Sequence, residues 1–191
     1  MKVIAINGSP RKGGNTEIMI RKVFEPLEAA GIETELIQVG GKMIRGCLAC
    51  GKCGEMQNGT CVVENDIVNE LIEKLREADG IILGSPTYFA NISAELKAVI
   101  DRAGFVSFTN GGIYSRKVGA AVIAVRRGGA VPAFDAINHF FQINQMYVVG
   151  STYWNMAYGF NLGEVNEDEE GMGNMTNLGE NMAHLLQKLN G

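Results

Sequence analysis

The cysteines carry the most distinctive chemistry in this chain. Cys47-x2-Cys50-x2-Cys53-x7-Cys61 uses every cysteine present. Three thiolates on tight turns, with a fourth returning from a short loop, can enclose a cuboidal cluster. The compact spacing is like the four-cysteine ligation of iron–sulfur proteins. A structural zinc site more often takes two separated Cys-x2-Cys knuckles and comes second. A dithiol switch through Cys50 and Cys53, or four free thiols, comes third. No sign of secretion accompanies the cysteines, because the apolar opening Val3-Ile4-Ala5-Ile6 is broken at Asn7 and Gly8. That stretch is too short for a signal-peptide core. A cytoplasmic location is expected, where thiols serve as ligands or redox groups rather than as crosslinks.

Two loops carry a second kind of chemistry. Asn7-Gly8-Ser9-Pro10-Arg11-Lys12-Gly13-Gly14-Asn15-Thr16 follows an apolar strand and opens a helix. Unpaired N–H groups of a first helical turn converge on one point, and the helix dipole favours an anion there. Gly13 and Gly14 can turn successive amides inward, Ser9, Asn15 and Thr16 add side-chain donors, and Arg11 or Lys12 can offset the charge. The loop lacks the G-x-G-x-x-G of dinucleotide sites. Gly14 stands where a triphosphate P-loop needs its lysine. An incidental N-cap turn is the alternative. The second loop, Gly84-Ser85-Pro86-Thr87-Tyr88-Phe89-Ala90-Asn91, ends another apolar strand. Its aromatics can stack on a flat ring or cover the core, and for Phe89 alone core cover is the simpler account.

These segments need a scaffold to bring them together. With 191 residues the chain suits a single domain, 1–191, with a cysteine-rich loop at 40–65. It is long enough to fold without disulfides. The 17 basic and 21 acidic residues give a charge of −4, which disfavours nucleic-acid and anionic-membrane binding. The 25 glycines point to many turns and close approaches. Apolar strands are predicted at 3–6, 33–39, 80–85, 117–125 and 146–149. Amphipathic helices are predicted at 16–30, 66–76, 92–103, 131–145 and 175–189. Pro26 should bend or shorten the first helix. The acidic run 164–170 reads as a solvated loop, and Tyr153, Trp154 and Tyr158 as core cover. His139 and His184 read as packing or surface residues, and no hydrolytic triad or zinc-protease motif is present.

Five strands alternating with helices imply an α/β fold, a three-layer α-β-α sandwich. Its five-stranded parallel sheet would run in the order 2-1-3-4-5. In that order ligands sit beyond the carboxyl ends of strands one and three, where the two loops emerge.

Taken together, Gly8-Ser9-Pro10-Arg11-x-Gly13-x-Asn15-Thr16 and Pro86-Thr87-Tyr88-Phe89-x-Asn91 resemble the NADPH-dependent FMN reductases of the flavodoxin-like superfamily. The resemblance runs through the whole chain in order and spacing. It implies that Ser9, Arg11, Asn15 and Thr16 hold the FMN phosphate, with Lys12, Gly13 and Gly14 supplying backbone. The isoalloxazine would rest against Pro86, Thr87, Tyr88 and Phe89, with Asn91 close by. A third segment, Arg126-Arg127-Gly128-Gly129, would touch the ring through Arg126, Gly128 and Gly129; an αL turn with surface arginines is the alternative. The cysteine spacing between the second strand and the next helix resembles the iron–sulfur flavoprotein branch, which implies one [4Fe–4S] cluster on Cys47, Cys50, Cys53 and Cys61.

The expected function is an FMN-dependent oxidoreductase. NAD(P)H would reduce the flavin, and electrons would pass to the cluster or an external acceptor. An electron carrier reduced by a ferredoxin-type protein, without NAD(P)H turnover, is the first alternative. A zinc or thiol redox sensor is the second. The resemblance further implies a homodimer or homotetramer.

Overall fold

The computed structural model describes residues 1–190. Strands β1 (Lys2–Asn7), β2 (Glu33–Gln38), β3 (Gly80–Pro86), β4 (Val118–Val125) and β5 (Tyr147–Val148) pair in parallel in the order β2-β1-β3-β4-β5. Every connection is therefore a crossover, and the helices α1 (Asn15–Ala29), α3 (Val68–Glu77), α4 (Ala94–Thr109), α5 (Ala130–Ile143) and α6 (Glu169–Asn190) supply them or close the chain. A short α2 (Lys52–Met56) lies in the cysteine segment.

Alternate strand residues point to opposite faces, so a sheet covered on both sides must be apolar at nearly every position. The central strands meet that demand. Ile4, Ile6, Ile81 and Leu83 pack with α3, α4 and α5, whereas Val3, Ala5 and Ile82 pack with α1 and α6. Edge strand β2 is only half-buried, in keeping with its alternating sequence.

The fifth position of the sheet differs from expectation. Only Tyr147 and Val148 pair with the start of β4. The chain then leaves the sheet and returns as a sixth strand, β6 (Met156–Tyr158), beside Ile123–Val125. The polar stretch between them bonds to itself: Ser151 Oγ reaches Asn155 Oδ1 at 2.8 Å and the Tyr153 carbonyl at 2.7 Å. Tyr153, Trp154 and Tyr158 are about half exposed and cover no core. They lie on this excursion and the strand that follows it, with their side chains turned to the surface.

The acidic run is likewise structured. Glu164–Glu167 forms a 3₁₀ turn, and Asp168 accepts the amides of Gly171 at 2.9 Å and Tyr158 at 2.7 Å. That carboxylate stands in N-cap geometry, and Glu169 and Glu170 complement the dipole, so α6 starts six residues before its predicted beginning. Both histidines are exposed, as expected. No helix among the described residues is long and apolar enough to cross a membrane.

Helix α1 runs through Pro26 and ends at Ala29, one residue short of its predicted end. Opposite the proline stands Gly179 of α6. A Cβ at Gly179 would lie 2.3 Å from the Val23 carbonyl oxygen and 2.5 Å from the Pro26 ring. The missing side chain lets the two helices touch. Alanine at Gly179 would gain about 1 kcal/mol of helix propensity. Its overpacking against backbone and a proline ring costs about 3 kcal/mol, the top of the usual range. Gly179→Ala is thus expected to destabilise the fold by about 2 kcal/mol, a fall in Tm of roughly 4–8 °C. A thermal melt that stays put or rises would refute this account of the α1–α6 contact.

Candidate functional site

The β1–α1 loop emerges at the carboxyl edge of the sheet beside the end of β3. The Gly8 amide donates to the Gly84 carbonyl at 2.8 Å, and the Thr87 amide donates to the Ala124 carbonyl at 2.8 Å. These bonds tie the first loop to β3 and the second loop to β4. Between them lies a cleft of about 270 Å³. Ser9, Arg11, Asn15 and Thr16 line one end of it, and Pro86, Thr87, Tyr88 and Arg126 line the other. One end is rich in hydroxyl and amide groups, while the other is largely apolar and aromatic.

Helix α1 begins without a side-chain cap. Its N-cap is Gly14, and the first intrahelical bond runs from the Ile18 amide to the Gly14 carbonyl at 3.0 Å. The amides of Asn15, Thr16 and Glu17 precede that bond and have no helical acceptor. Within Lys12–Gly14, where backbone donors are expected, the structure gives two amides acceptors in the chain. The Gly13 amide is given to Glu17 Oε2 at 2.8 Å, and the Gly14 amide to the Arg11 carbonyl at 3.0 Å. Two of the three expected backbone donors are therefore spent, one on the first turn of α1 and one within the loop. The positive φ of Gly13 (64°) shapes the turn instead of aiming an amide outward. Burial works against the charge on Glu17, but the Gly13 amide and the Arg21 guanidinium outweigh it and hold its carboxyl below the ordinary carboxylate range.

Phe89, Asn91, Gly128 and Gly129 do not line the cleft. Tyr88 and Asn91 exchange backbone hydrogen bonds of 2.8 and 3.0 Å, closing a tight turn over Phe89 and Ala90. Both central residues have positive φ, 47° and 58°, the geometry of a type I′ turn that ordinarily selects Gly or Asn. Strain of this kind persists only where surrounding structure enforces it, and it clusters at functional sites. The Phe89 side chain is fully exposed at the tip, so core cover fails for it. Gly129 serves that turn: a Cβ there would lie 2.9 Å from Ala90 Cα.

Sequence reasoning missed a third wall. Gly159 and Phe160, just after β6, line the cleft with Ala124. Arg11 Nη1 donates to the Phe160 carbonyl at 2.9 Å, and Asn15 Nδ2 donates to the Asn161 carbonyl at 2.9 Å. Asn15 Oδ1 in turn accepts the Gly163 amide at 2.9 Å. Arg126 stacks on the Phe160 ring at 4.3 Å. Two expected anion ligands, Arg11 and Asn15, thus hold this segment against the cleft. Glu164 shapes the same segment by accepting the Asn161 and Phe160 amides, which hold its carboxyl below the ordinary range. Only the split of the last strand could have pointed to these residues. Meanwhile the Thr87 hydroxyl is buried at the cleft with no partner in the chain, and such a group is costly unless a ligand satisfies it.

The cysteine segment folds against the far half of α4. Cys47, Cys50, Cys53 and Cys61 all line one small cavity of about 20 Å³, and none forms a disulfide. Leu48, Val62, Val63, Phe105 and Val106 make most of its other walls apolar, and Arg102 is the charged side chain among them. The loop backbone is already turned for sulfur. Ala49 and Gly51 have positive φ, and the Ala49 amide lies 3.4 Å from Cys47 Sγ. Thr109 Oγ1 lies 3.7 Å from Cys53 Sγ. Cys61 is fixed from α3, where Asn69 accepts its amide and donates to its carbonyl, both at 2.8 Å. Among the described residues no three Cys, His or acidic side chains converge closely enough for a single ion. Tetrahedral zinc at 2.3 Å needs sulfurs about 3.8 Å apart. A cuboidal four-iron cluster spreads its ligands wider, and four thiols lining one cavity, with the Ala49 amide directed at Cys47 Sγ, suit that group.

Comparison with known proteins places the chain. The family model for NADPH-dependent FMN reductase matches residues 1–161. An iron-sulfur flavoprotein of Methanocaldococcus jannaschii is 39% identical, the match covering 98% of each chain. An iron-sulfur flavoprotein of Methanosarcina thermophila is 34% identical over 98% of this chain and 96% of its own. A solved WrbA-like flavodoxin from Agrobacterium tumefaciens superposes with a TM-score of 0.66 at 17% identity, covering 98% of this chain and 97% of that one. The fold is flavodoxin-like, and the chain belongs to the NADPH-dependent FMN reductase family, in the branch whose members are named iron-sulfur flavoproteins.

Proposed function

We infer that this protein binds FMN in the cleft and a [4Fe–4S] cluster at the cysteines, and acts as a flavin-dependent oxidoreductase. The observation that carries the reading is the uncapped N-terminus of α1 opening into the same cleft as the aromatic turn after β3. An anion site and a ring platform then share one crevice at the switch point of the sheet. Bound FMN supplies hydride and single-electron chemistry, and a bound cluster supplies single-electron transfer.

The residues of the chain do the rest. The free amides of Asn15 and Thr16, with the Ser9 and Thr16 hydroxyls, would hold the phosphate. Arg11 and Asn15 would act partly through the 159–163 segment they anchor. Pro86, Thr87 and Tyr88 would support the ring, the Thr87 hydroxyl finding in it the partner it lacks in the chain. Arg126, held over Phe160, would bring positive charge toward the reduced flavin. Cys47, Cys50, Cys53 and Cys61 would ligate the cluster, in keeping with a reducing, cytoplasmic setting. NAD(P)H is the proposed donor, and a ferredoxin-type protein the competing one. A homo-oligomer is part of the proposal, because Phe108 and Ile143 leave apolar surface exposed on the α4–α5 face.

Protein purified without oxygen is expected to carry stoichiometric FMN together with iron and sulfide. Its flavin should bleach on mixing with NADPH or NADH. Bleaching only by reduced ferredoxin would turn the reading to an electron carrier, and zinc without iron would turn it to a sensor. Thr16→Val keeps volume and removes one hydroxyl. Loss of a hydrogen bond to a charged group costs about 1.5–3 kcal/mol, so the Kd for FMN should rise roughly 10- to 100-fold in a fluorescence-quenching titration. An unchanged Kd would remove Thr16 from the phosphate site. Cys50→Ala should abolish iron incorporation while FMN stays bound, and full iron retention would strike Cys50 from the ligand set.

A further inference from the structure

Arg102 lies in the middle of α4, and its side chain is fully buried beside that of Asp66. A buried guanidinium is expensive, and an apolar side chain of similar volume often serves stability as well. The contacts of this one explain its presence. Nη1 donates to Asp66 Oδ2 and, at 3.3 Å, to the Arg45 carbonyl. Nη2 donates to the Val63 carbonyl at 2.8 Å. Residues 45 and 63 flank the segment that holds all four cysteines. One planar side chain therefore clasps both ends of the cysteine loop, and Asp66 adds to the clasp by accepting the Arg45 amide at 3.3 Å.

The third edge of the guanidinium is unspent. Arg102 lines the cysteine cavity, whereas Asp66 lies behind it, outside the lining. The Nε–H is buried without an aligned acceptor. Burial opposes the charge, but the bond to Asp66 and the nearness of the Cys61 thiol hold the Arg102 pKa above its ordinary value. Burial likewise opposes the Asp66 charge, and Arg102 together with the amides of Val68 and Arg45 pulls its carboxyl below the ordinary range. Arg102 and Asp66 form an ion pair, and the Nε–H is the guanidinium edge left without a partner in the chain, on a side chain that lines the cysteine cavity.

We propose that Arg102 is the positioning residue of the cysteine site, closing the loop through its two terminal nitrogens and turning its Nε–H and positive charge toward the cluster. A hydrogen bond and a positive charge at cluster sulfur favour the reduced, more negative state and raise the reduction potential. This rests on the reading of the cysteines as cluster ligands.

The test uses full-length protein, reconstituted anaerobically with iron and sulfide. Arg102→Met combined with Asp66→Asn removes both charges together and leaves neither stranded. It should keep wild-type FMN affinity, release iron to a chelator at least tenfold faster, and lower the midpoint potential in an EPR-monitored titration. Arg102→Lys keeps the charge but cannot span both loop ends. It should also release iron about tenfold faster, while its potential falls less than that of the double variant. Wild-type release rates and potential in a double variant that binds FMN would overturn the proposal. If the double variant loses FMN, Arg102→Lys decides, and iron release at the wild-type rate overturns the proposal. Loss of FMN in both variants would make Arg102 a core residue only. Wild-type protein that builds no cluster overturns the ligand reading, and the role of Arg102 with it.

Discussion

The parallel pairing of β1 with β3 is the constraint on which the rest depends. Strands that all run the same way present all their carboxyl ends at one edge. Helices must cross over the two faces to join them. From β1 the chain crosses one face to β2 through α1. The chain from β3 crosses the other face to β4 through α4. The loops after β1 and β3 therefore part company above the sheet, and the gap between them is the cleft. The Gly8–Gly84 bond fixes its floor, and the unsatisfied first turn of α1 faces into it. Topology opens the crevice, and Arg11 and Asn15 hold its third wall in place. Residue chemistry decides what it receives.

Much of this was legible in the chain itself, because the readable features are local. The order of the sheet follows from apolar runs alternating with amphipathic ones. The two cleft loops and the cysteine spacing are contiguous stretches whose chemistry shows in residue type. What stayed hidden was made of distant pairings. Phe160 reaches the cleft through a contact with Arg11 that spans most of the chain. Nothing in the sequence around Arg102 separates a buried clasp from a solvated arginine on an amphipathic helix. Amide direction was hidden too, since a Gly-rich loop reads as a set of donors until Glu17 and the Arg11 carbonyl are seen to take two of them. Phe89 and Ala90 defied a turn rule that ordinarily needs glycine, at a site where strain is held by the Tyr88–Asn91 bridge.

The cleft and the cysteine cavity are built by different means. The cleft is framed by strand ends and backbone bonds to the sheet. The cavity is framed by side chains that reach into a loop with almost no regular structure. Asn69 holds Cys61 there, Thr109 stands beside Cys53, and Arg102 holds the ends. The first construction draws its floor from the sheet and relies on side chains, Arg11 and Asn15, only for its third wall. The second depends on a few polar groups whose partners are carbonyl oxygens.

Helix α4 belongs to both. It starts just past the aromatic turn, where the Ser93 amide donates to Ser85 Oγ at 2.9 Å, and ends against Cys53 through Thr109. Its 16 residues make a rigid rod of roughly 24 Å. This rod works as a gauge, setting the span between the two sites within the chain. Lengthening it by one residue would swing everything downstream by about 100° and carry the clasp away from the loop. Lengthening it by four residues would bring the heading back to within about 40° and shift the far site about 6 Å along the axis. Spacing and bearing are thus written into one rod, and the first can change with little loss of the second only in steps close to a turn.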